Sequence, residues 1–396
     1  MATPLSIYNL KEGGWRTILS ISGISIAVTL IFMQLGFLGA VLDTAVLFYN
    51  NLKFDLVVRS PNYYHFCDAN KFDRSNLDII LSDPAVESVQ PFHVSLGKWN
   101  YAEASTQRGI LIMGVTPEGQ TFSANNSYVD LPDLKKLDRP RAILVDRKSR
   151  PQFLGADNRE RFNEEQIGLR IELNQKLCEV TGIFELGTGL AANGASVIHE
   201  DDFRDLFPNY SAQDMSLGLV RLSDSAANDP TVARQRIYEA MGVNAGTSSA
   251  VEVLTREEVV YEEVIHWIGN TPIGFIFIAG VVVALIVGAI VVYIVLSSDI
   301  SKQIGEYATL KAMGYRNSYL SRVVLEQAII LGVISYLVAF AVSLVLYEVV
   351  GTAANLPITM TLSRQVIVFA ATITMCCVSG SIAMQKLTKA DPADLF

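Results

Sequence analysis

The sequence predicts an α-helical membrane protein with four transmembrane helices and a large α+β extracytoplasmic, periplasmic domain inserted between the first and the second. Three observations predict it. No charged side chain occurs between Arg16 and Asp43, His266 and Asp299, Glu326 and Glu348, or Arg364 and Lys386. Each run therefore holds about 20 to 32 residues, long enough as a helix to cross about 30 Å of hydrocarbon. Between the first two runs, residues 43–266 are polar and patterned like strands and short helices. The cations flanking the runs are Lys11 and Arg16, then Lys302, Lys311, Arg316 and Arg322, then Lys386 and Lys389, with only Arg364 between the third and fourth. That asymmetry places both termini in the cytoplasm.

Residues 1–16 alternate Leu5, Ile7, Leu10 and Trp15 with Asn9, Lys11, Glu12 and Arg16, which reads as an amphipathic helix in the headgroup layer. The first span, 17–42, is longer than a signal-peptide core and lacks a small-x-small cleavage site, so it is read as retained. The remaining segments are the insert with its stalk helix at 43–266, spans at 267–298, 327–347 and 365–385, a cytoplasmic connection at 299–326, an outer loop at 348–364 and a tail at 386–396. In lipid the backbone must satisfy its own hydrogen bonds, which favours helix in every span despite Val281–Val283 and Val291–Val292. Gly280, Ala284 and Gly288 recur every four residues, a face for close helix packing inside the chain or against a second copy. Gln34 offers a hydrogen bond to a neighbouring helix.

The formal net charge of −9 belongs to the insert, which carries about 22 Lys plus Arg against about 33 Asp plus Glu. A surface that tracks phosphates needs clustered cations, so nucleic acid is excluded as a partner. Within the insert, Phe54–Arg59, Val86–Val89, Gly109–Val115, Ala142–Val145, Leu169–Leu173, Cys178–Phe184 and Met215–Leu222 read as strands. Ser75 is a candidate N-cap for a helix to Leu81, and Asp229 for one to Met241. Gly187–Gly194 is a candidate mobile loop. Thr255, with Glu258 three residues on, caps a charged helix that runs to Ile268 and into the second span. Cys67 and Cys178 lie in a compartment that permits a disulfide and are the candidate pair. Cys376 and Cys377, inside the fourth span, read as packing residues.

Catalytic signatures are missing. There is no Gly-x-x-x-x-Gly-Lys-Ser/Thr, no His-Glu-x-x-His and no Gly-x-Ser-x-Gly, and His65, Cys67 and Asp68 have no second ligand cluster at zinc-like spacing. Metal, cofactor and catalytic residues are therefore predicted to be none in this chain.

The cytoplasmic connection carries the information. Ile304, Tyr307, Ala308 and Lys311 share one helical face, Gly314 suits a helix stop, and a new helix can begin near Asn317. Glu306-Tyr-Ala-Thr-Leu-Lys-Ala-Met-Gly314, followed by Arg316 and by Glu326 at the next span, resembles the coupling segment of the MacB/FtsX/LolE permease superfamily, the type VII ABC permeases. The Asn9–Arg16 entry, the one-plus-three placement of spans and the Ala390-Asp-Pro-Ala-Asp-Leu395 tail are similar too. With Phe54-Asp-Leu-Val-Val and no fused ATPase, the chain looks most like the cyanobacterial DevC-type permeases. It departs at Tyr307 and Ala308, where MacB has Ile and Gly.

The resemblance implies a homodimeric permease in the inner membrane. A separate ABC ATPase, which binds ATP and Mg, would seat on Ile304, Glu306, Tyr307, Ala308, Lys311, Gly314 and Arg316. A periplasmic adaptor, or membrane fusion protein, would seat on the insert and join an outer-membrane TolC-like duct. Envelope cargo, including glycolipid, is what DevC-type systems imply. The alternative is an FtsX-like regulator of a cell-wall hydrolase.

Overall fold

A computed structural model describes residues 14–101, 106–123, 132–154, 160–187, 192–242, 250–302, 305, 309, 313–314, 317–354 and 356–389. The chain divides into two compact units, one of Met1–Leu42 with Thr271–Phe396 and one of Asp43–Asn270. The expected amphipathic helix at 1–13 and the tail at 390–396 lie outside the described residues.

Among the described residues the first unit contains four helices long and apolar enough to cross a membrane: α1 (Trp15–Ala45), α7 (Pro272–Lys302), α8 (Asn317–Ala354) and α9 (Leu362–Lys389). Their shared core joins Ile24, Val28 and Phe32 of α1 to Val292 and Leu296 of α7, Leu331 of α8 and Met375 of α9. Serines tie helices through backbone carbonyls, with Ser25 Oγ donating to Ser335 O at 3.1 Å and Ser379 Oγ to Ala289 O at 2.9 Å. Where hydrocarbon offers no other partner, such bonds each contribute about 1 kcal/mol. The small-residue face is used inside the chain: a Cβ on Gly280 would meet Gln34 of α1 at 2.5 Å, and one on Gly288 would meet Met375 of α9 at 2.4 Å. Ala284 is buried in the same core. Of the two uses expected for Gly280, Ala284 and Gly288, packing inside the chain is the one these contacts describe, with α1 and α9 seated on that face. Gln34 packs on Gly280, but its buried Oε1 accepts no hydrogen bond.

The second unit is an α+β domain on a mixed nine-stranded sheet. In chain order it contains α2 (Leu47–Asn51), β1 (Leu56–Arg59), β2 (Phe72–Asp73), α3 (Ser75–Leu81), β3 (Val86–Tyr101), β4 (Thr106–Val115), β5 (Ala142–Asp146), β6 (Arg170–Leu173), β7 (Lys176–Phe184) and β8 (Ala195–His199). After these come α4 (Glu200–Leu206), β9 (Asp214–Met215), β10 (Leu217–Leu222), α5 (Pro230–Ala240), β11 (Glu252–Thr255) and α6 (Arg256–Ile265). The sheet order is β11-β1-β10-β3-β4-β8-β5-β7-β6, and β6 also pairs with β3. That last pairing, Trp99 opposite Leu173, closes β3-β4-β8-β5-β7-β6 on itself.

Period-two alternation sorts each strand between two cores. On β4, Ile110 and Ile112 enter the core around Trp99 and Phe153, while Leu111, Met113 and Val115 enter the one around Phe48 and Phe66. A third core packs α3 and α5 on β1 and β10 through Leu77, Ile80, Val58, Val220 and Ile237.

The strand expected at Val86–Val89 extends to Tyr101, because β10, β4 and β6 pair with it in succession and supply partners past Pro91 and Lys98. Ser75 is the first helical residue and not the N-cap expected of it; the N-cap position is Arg74, and the Asp73 carboxylate accepts the Ser75 N–H at 2.8 Å. Asp229 caps α5 as expected. The candidate Cys67–Cys178 disulfide is absent, and neither cysteine is in a disulfide. Cys67 is buried with Phe48 and Phe66, whereas Cys178 is buried inside the closed part of the sheet with Trp99 and Ile171. Different cores hold the two thiols, and burial pushes that of Cys178 up to about 11.

The last residue of β5 and the turn that follows it hold the base of the glycine loop. The buried Asp146 carboxylate accepts the Gly187 N–H, where φ is +115°, and Ser149 Oγ accepts the Ala195 N–H at 3.2 Å. Residues 188–191 of that loop lie outside the described residues.

His93, on β3, is fully buried and stacks on Phe203 of α4 at 5.0 Å, yet neither ring nitrogen has a hydrogen-bond partner. Burial, and then the charges of Arg204 and Arg74, push its pKa down to about 4. An unfolded chain protonates His93 near pH 6.5 while the fold refuses the proton, so stability is complete above that pH and falls between 6.5 and 4 by about 3 kcal/mol. Asp146 has the opposite sign, since burial raises it to about 6 and stability is lost as pH rises through that value. His93→Phe keeps the stack and removes the first effect only. In denaturant unfolding, the stability gap between this variant and the wild type is expected to widen by about 3 kcal/mol from pH 7.5 to pH 4. A constant gap contradicts the assignment.

Candidate coupling segment and stem

Of the residues expected to grip an ATPase, Ile304, Glu306, Tyr307, Ala308, Lys311 and Arg316 lie outside the described residues. Gly314 does not. Gly305 and Thr309 are helical, Thr309 Oγ1 donates to Gly305 O at 2.8 Å, and the Met313 N–H donates to Thr309 O at 3.0 Å. Gly314 follows with φ +93°, the left-handed geometry that ends a helix at glycine, and Asn317 starts α8. Met313 is 64% exposed. At the root of the connection, Gln327 Nε2 donates to Asp299 Oδ2 at 3.2 Å and holds α7 to α8, while Arg322 and Glu326 pair at 2.9 Å one turn apart.

A second site is built where the chain enters and leaves the α+β domain. β1 follows α2, β11 precedes α6, and the two strands pair antiparallel with Leu56 opposite Thr255. The result is a stem in which incoming and outgoing arms run side by side. Thr255 and Glu258 form the expected capping box. Arg256, next to the cap, donates to Tyr49 O at 2.7 Å, Leu52 O at 2.7 Å and Phe54 O at 2.9 Å, and its guanidinium lies 4.1 Å over the Phe54 ring. The carbonyls that α2 leaves unmatched at its end are thus satisfied by the first residue of α6.

Two turns further along α6, Glu263 is only 2% exposed. Its carboxylate accepts Tyr63 Oη at 2.7 Å, the Phe66 N–H at 3.3 Å and Trp267 Nε1 at 3.1 Å, and Tyr49 Oη of α2 donates to Tyr63 Oη at 2.7 Å. Burial raises the Glu263 pKa, and these three hydrogen bonds oppose the rise. Beside it, Arg59 pairs with Glu252 of β11 at 2.9 Å and with Glu262 of α6. Burial pulls the Arg59 guanidinium down, but the two carboxylates outweigh it and the net shift is upward. A cleft of about 320 Å³ opens between Tyr63, Tyr64, Tyr261, Glu262 and His266.

The α-helix does not run to Ile268 as expected. It stops at Ile265, and His266–Asn270 make a π-helical turn before α7 starts at Pro272. Such turns are rare and recur at functional sites. No motif in the sequence marks Arg256, Tyr63 or Glu263. The available signal is positional: Val259 and Glu263, four apart, are the buried residues of α6, and a carboxylate stands where an apolar residue is the rule.

Comparison with known proteins follows the same division. Residues 17–237 match the MacB-like periplasmic core domain, and residues 278–392 match the FtsX-like permease C-terminal region. This chain belongs to the MacB/FtsX family of type VII ABC permeases. Permeases of this family are multi-pass membrane components that work with an ABC ATPase partner and are not themselves catalytic. No curated protein sequence matches the chain significantly.

Among solved structures, the extracellular domain of the noncanonic ABC-type transporter YknZ from Gram-positive bacteria is 15% identical, with 51% of this chain and 99% of that one covered and a TM-score of 0.33. The periplasmic region of MacB from Actinobacillus actinomycetemcomitans is 11% identical, with 54% and 94% covered and a TM-score of 0.38. The two sequence matches alone carry the family membership.

Proposed function

We propose that the chain is the permease subunit of a DevC-type tripartite exporter, working as a homodimer in the inner membrane with both termini cytoplasmic. A separate ABC ATPase binds ATP and Mg and seats on the 304–316 connection. The α+β domain faces the periplasm, seats an adaptor joined to an outer-membrane duct, and moves lipid-like envelope cargo such as a glycolipid. No step of the chemistry belongs to this chain. Its residues carry force: the connection receives it, the spans α1 and α7 pass it on, and the stem delivers it to the sheet.

The observation that supports this reading best is the stem. Both arms of the domain are stapled to each other by Arg256 and Glu263, so the domain receives one motion rather than two independent ones. Reconstitution with the partner ATPase tests the proposal. The chain alone hydrolyses no ATP, and its addition stimulates the ATPase. Recovery of a cell-wall hydrolase without an adaptor on the α+β domain would instead favour the FtsX-like regulator.

A further inference from the structure

We infer that Glu263 is the positioning residue that fixes where the stem stops being rigid, confining bending to the π-helical turn at His266–Asn270. The inference rests on the transmission reading above and names the residue on which it depends.

Three elements converge on one buried carboxylate. Tyr63 and Phe66 belong to the segment between β1 and β2, Tyr49 belongs to α2 and reaches Glu263 through the Tyr63 hydroxyl, and Trp267 lies one turn further along the same arm. Tyr49 is fully buried among Phe54 and Phe66, so its hydroxyl proton is committed to Tyr63 and that of Tyr63 to Glu263. The carboxylate is the terminal acceptor of the chain. Remove it, and the Tyr63 phenol proton and the Phe66 and Trp267 N–H groups lose their acceptor, while Tyr49 keeps only a Tyr63 hydroxyl that is no longer anchored.

Past Glu263 only the Trp267 indole still reaches back to the carboxylate, and the remaining contacts among the described residues change character. His266 is still buried, against Tyr64 at 4.7 Å and His65 at 5.8 Å, but these are ring contacts without a hydrogen bond between them. Gly269 has no atom within 4 Å of a would-be Cβ, and Pro272 removes a backbone donor. The His266 N–H still bonds to Glu262 O, and from His266 to Asn270 the helix widens into the π-helical turn. A rigid arm docked through Glu263 is thus followed at once by a turn that can flex.

Hydrogen exchange on the full-length protein tests this. In the wild type, amides 259–265 are expected to exchange as slowly as those of β1, and amides 267–270 much faster. Glu263→Ala is expected to raise exchange over 259–265 by at least ten-fold while β1 and β10 are unchanged, and the near-isosteric Glu263→Gln to raise it less. Tyr63→Phe, which deletes one hydroxyl and leaves the carboxylate two donors, guards against outright misfolding of the alanine variant and is expected to fall between them. Unchanged exchange over 259–265 in all three variants overturns the inference.

Repeating the measurement with the partner ATPase and ATP separates the two claims. A nucleotide-dependent change in the exchange of the sheet is expected in the wild type and is lost in Glu263→Ala. If that change persists in the variant, the positioning role is wrong although transmission stands. Its absence from the wild type refutes transmission itself, and the positioning role with it.

Discussion

Gly314→Val is expected to abolish most of the stimulation that this permease gives its ATPase, while the protein still inserts and folds. At φ +93° a β-branched residue pays roughly 1–2 kcal/mol for the left-handed conformation, enough to reduce the population of the docked geometry by about ten-fold. Among the described residues no atom lies within 4 Å of a would-be Cβ at Gly314, so the loss would come from the backbone and not from a clash with the spans. Asparagine tolerates left-handed geometry, and Gly314→Asn should therefore retain most of the stimulation. Glu306→Ala, in the same coupling motif, is expected to behave like the valine variant. Full stimulation with both Gly314→Val and Glu306→Ala would remove the coupling role from the segment.

The largest stability effect is expected at Arg256. Its guanidinium satisfies three carbonyls at 2.7, 2.7 and 2.9 Å and covers the Phe54 ring. Arg256→Ala strands those carbonyls at the end of α2 and removes the staple between the arms, a loss of about 3–5 kcal/mol. For a domain of this size each kcal/mol moves the unfolding midpoint by about 2–4 °C, so thermal unfolding of the full-length protein should show a drop of about 10 °C. Lysine can serve only as a single point donor, so Arg256→Lys should recover a minority of it. A shift of a degree or two for Arg256→Ala would mean that the stem is held elsewhere.

What could be read in advance follows from how local each signal is. The spans were legible because an uninterrupted apolar run needs no partner to be recognised, and Gly314 because a helix stop is written in one residue. Thr255 with Glu258 and Asp229 with Pro230 were legible for the same reason. Non-local features were not. β8 at Ala195–His199 and the second half of β3 take their conformation from strands far away in sequence, and Cys67 and Cys178 show nothing in their spacing of the separate cores that receive them. Glu263 is the instructive miss. In a helix that also carries Glu257, Glu258 and Glu262, a fourth carboxylate reads as solvated surface, and only the fold reveals that Tyr63 and Phe66 are waiting for it.

The central claim is that the 304–316 connection faces the cytoplasm, where an ATPase can hold it. Its most direct test is labelling at Met313→Cys, an exposed position, in a background without the native cysteines. A membrane-impermeant maleimide is predicted to leave this cysteine unmodified in intact cells, to modify it once the membrane is opened, and to be blocked there by the bound ATPase. Modification in intact cells would place the segment on the wrong side of the membrane and contradict the account.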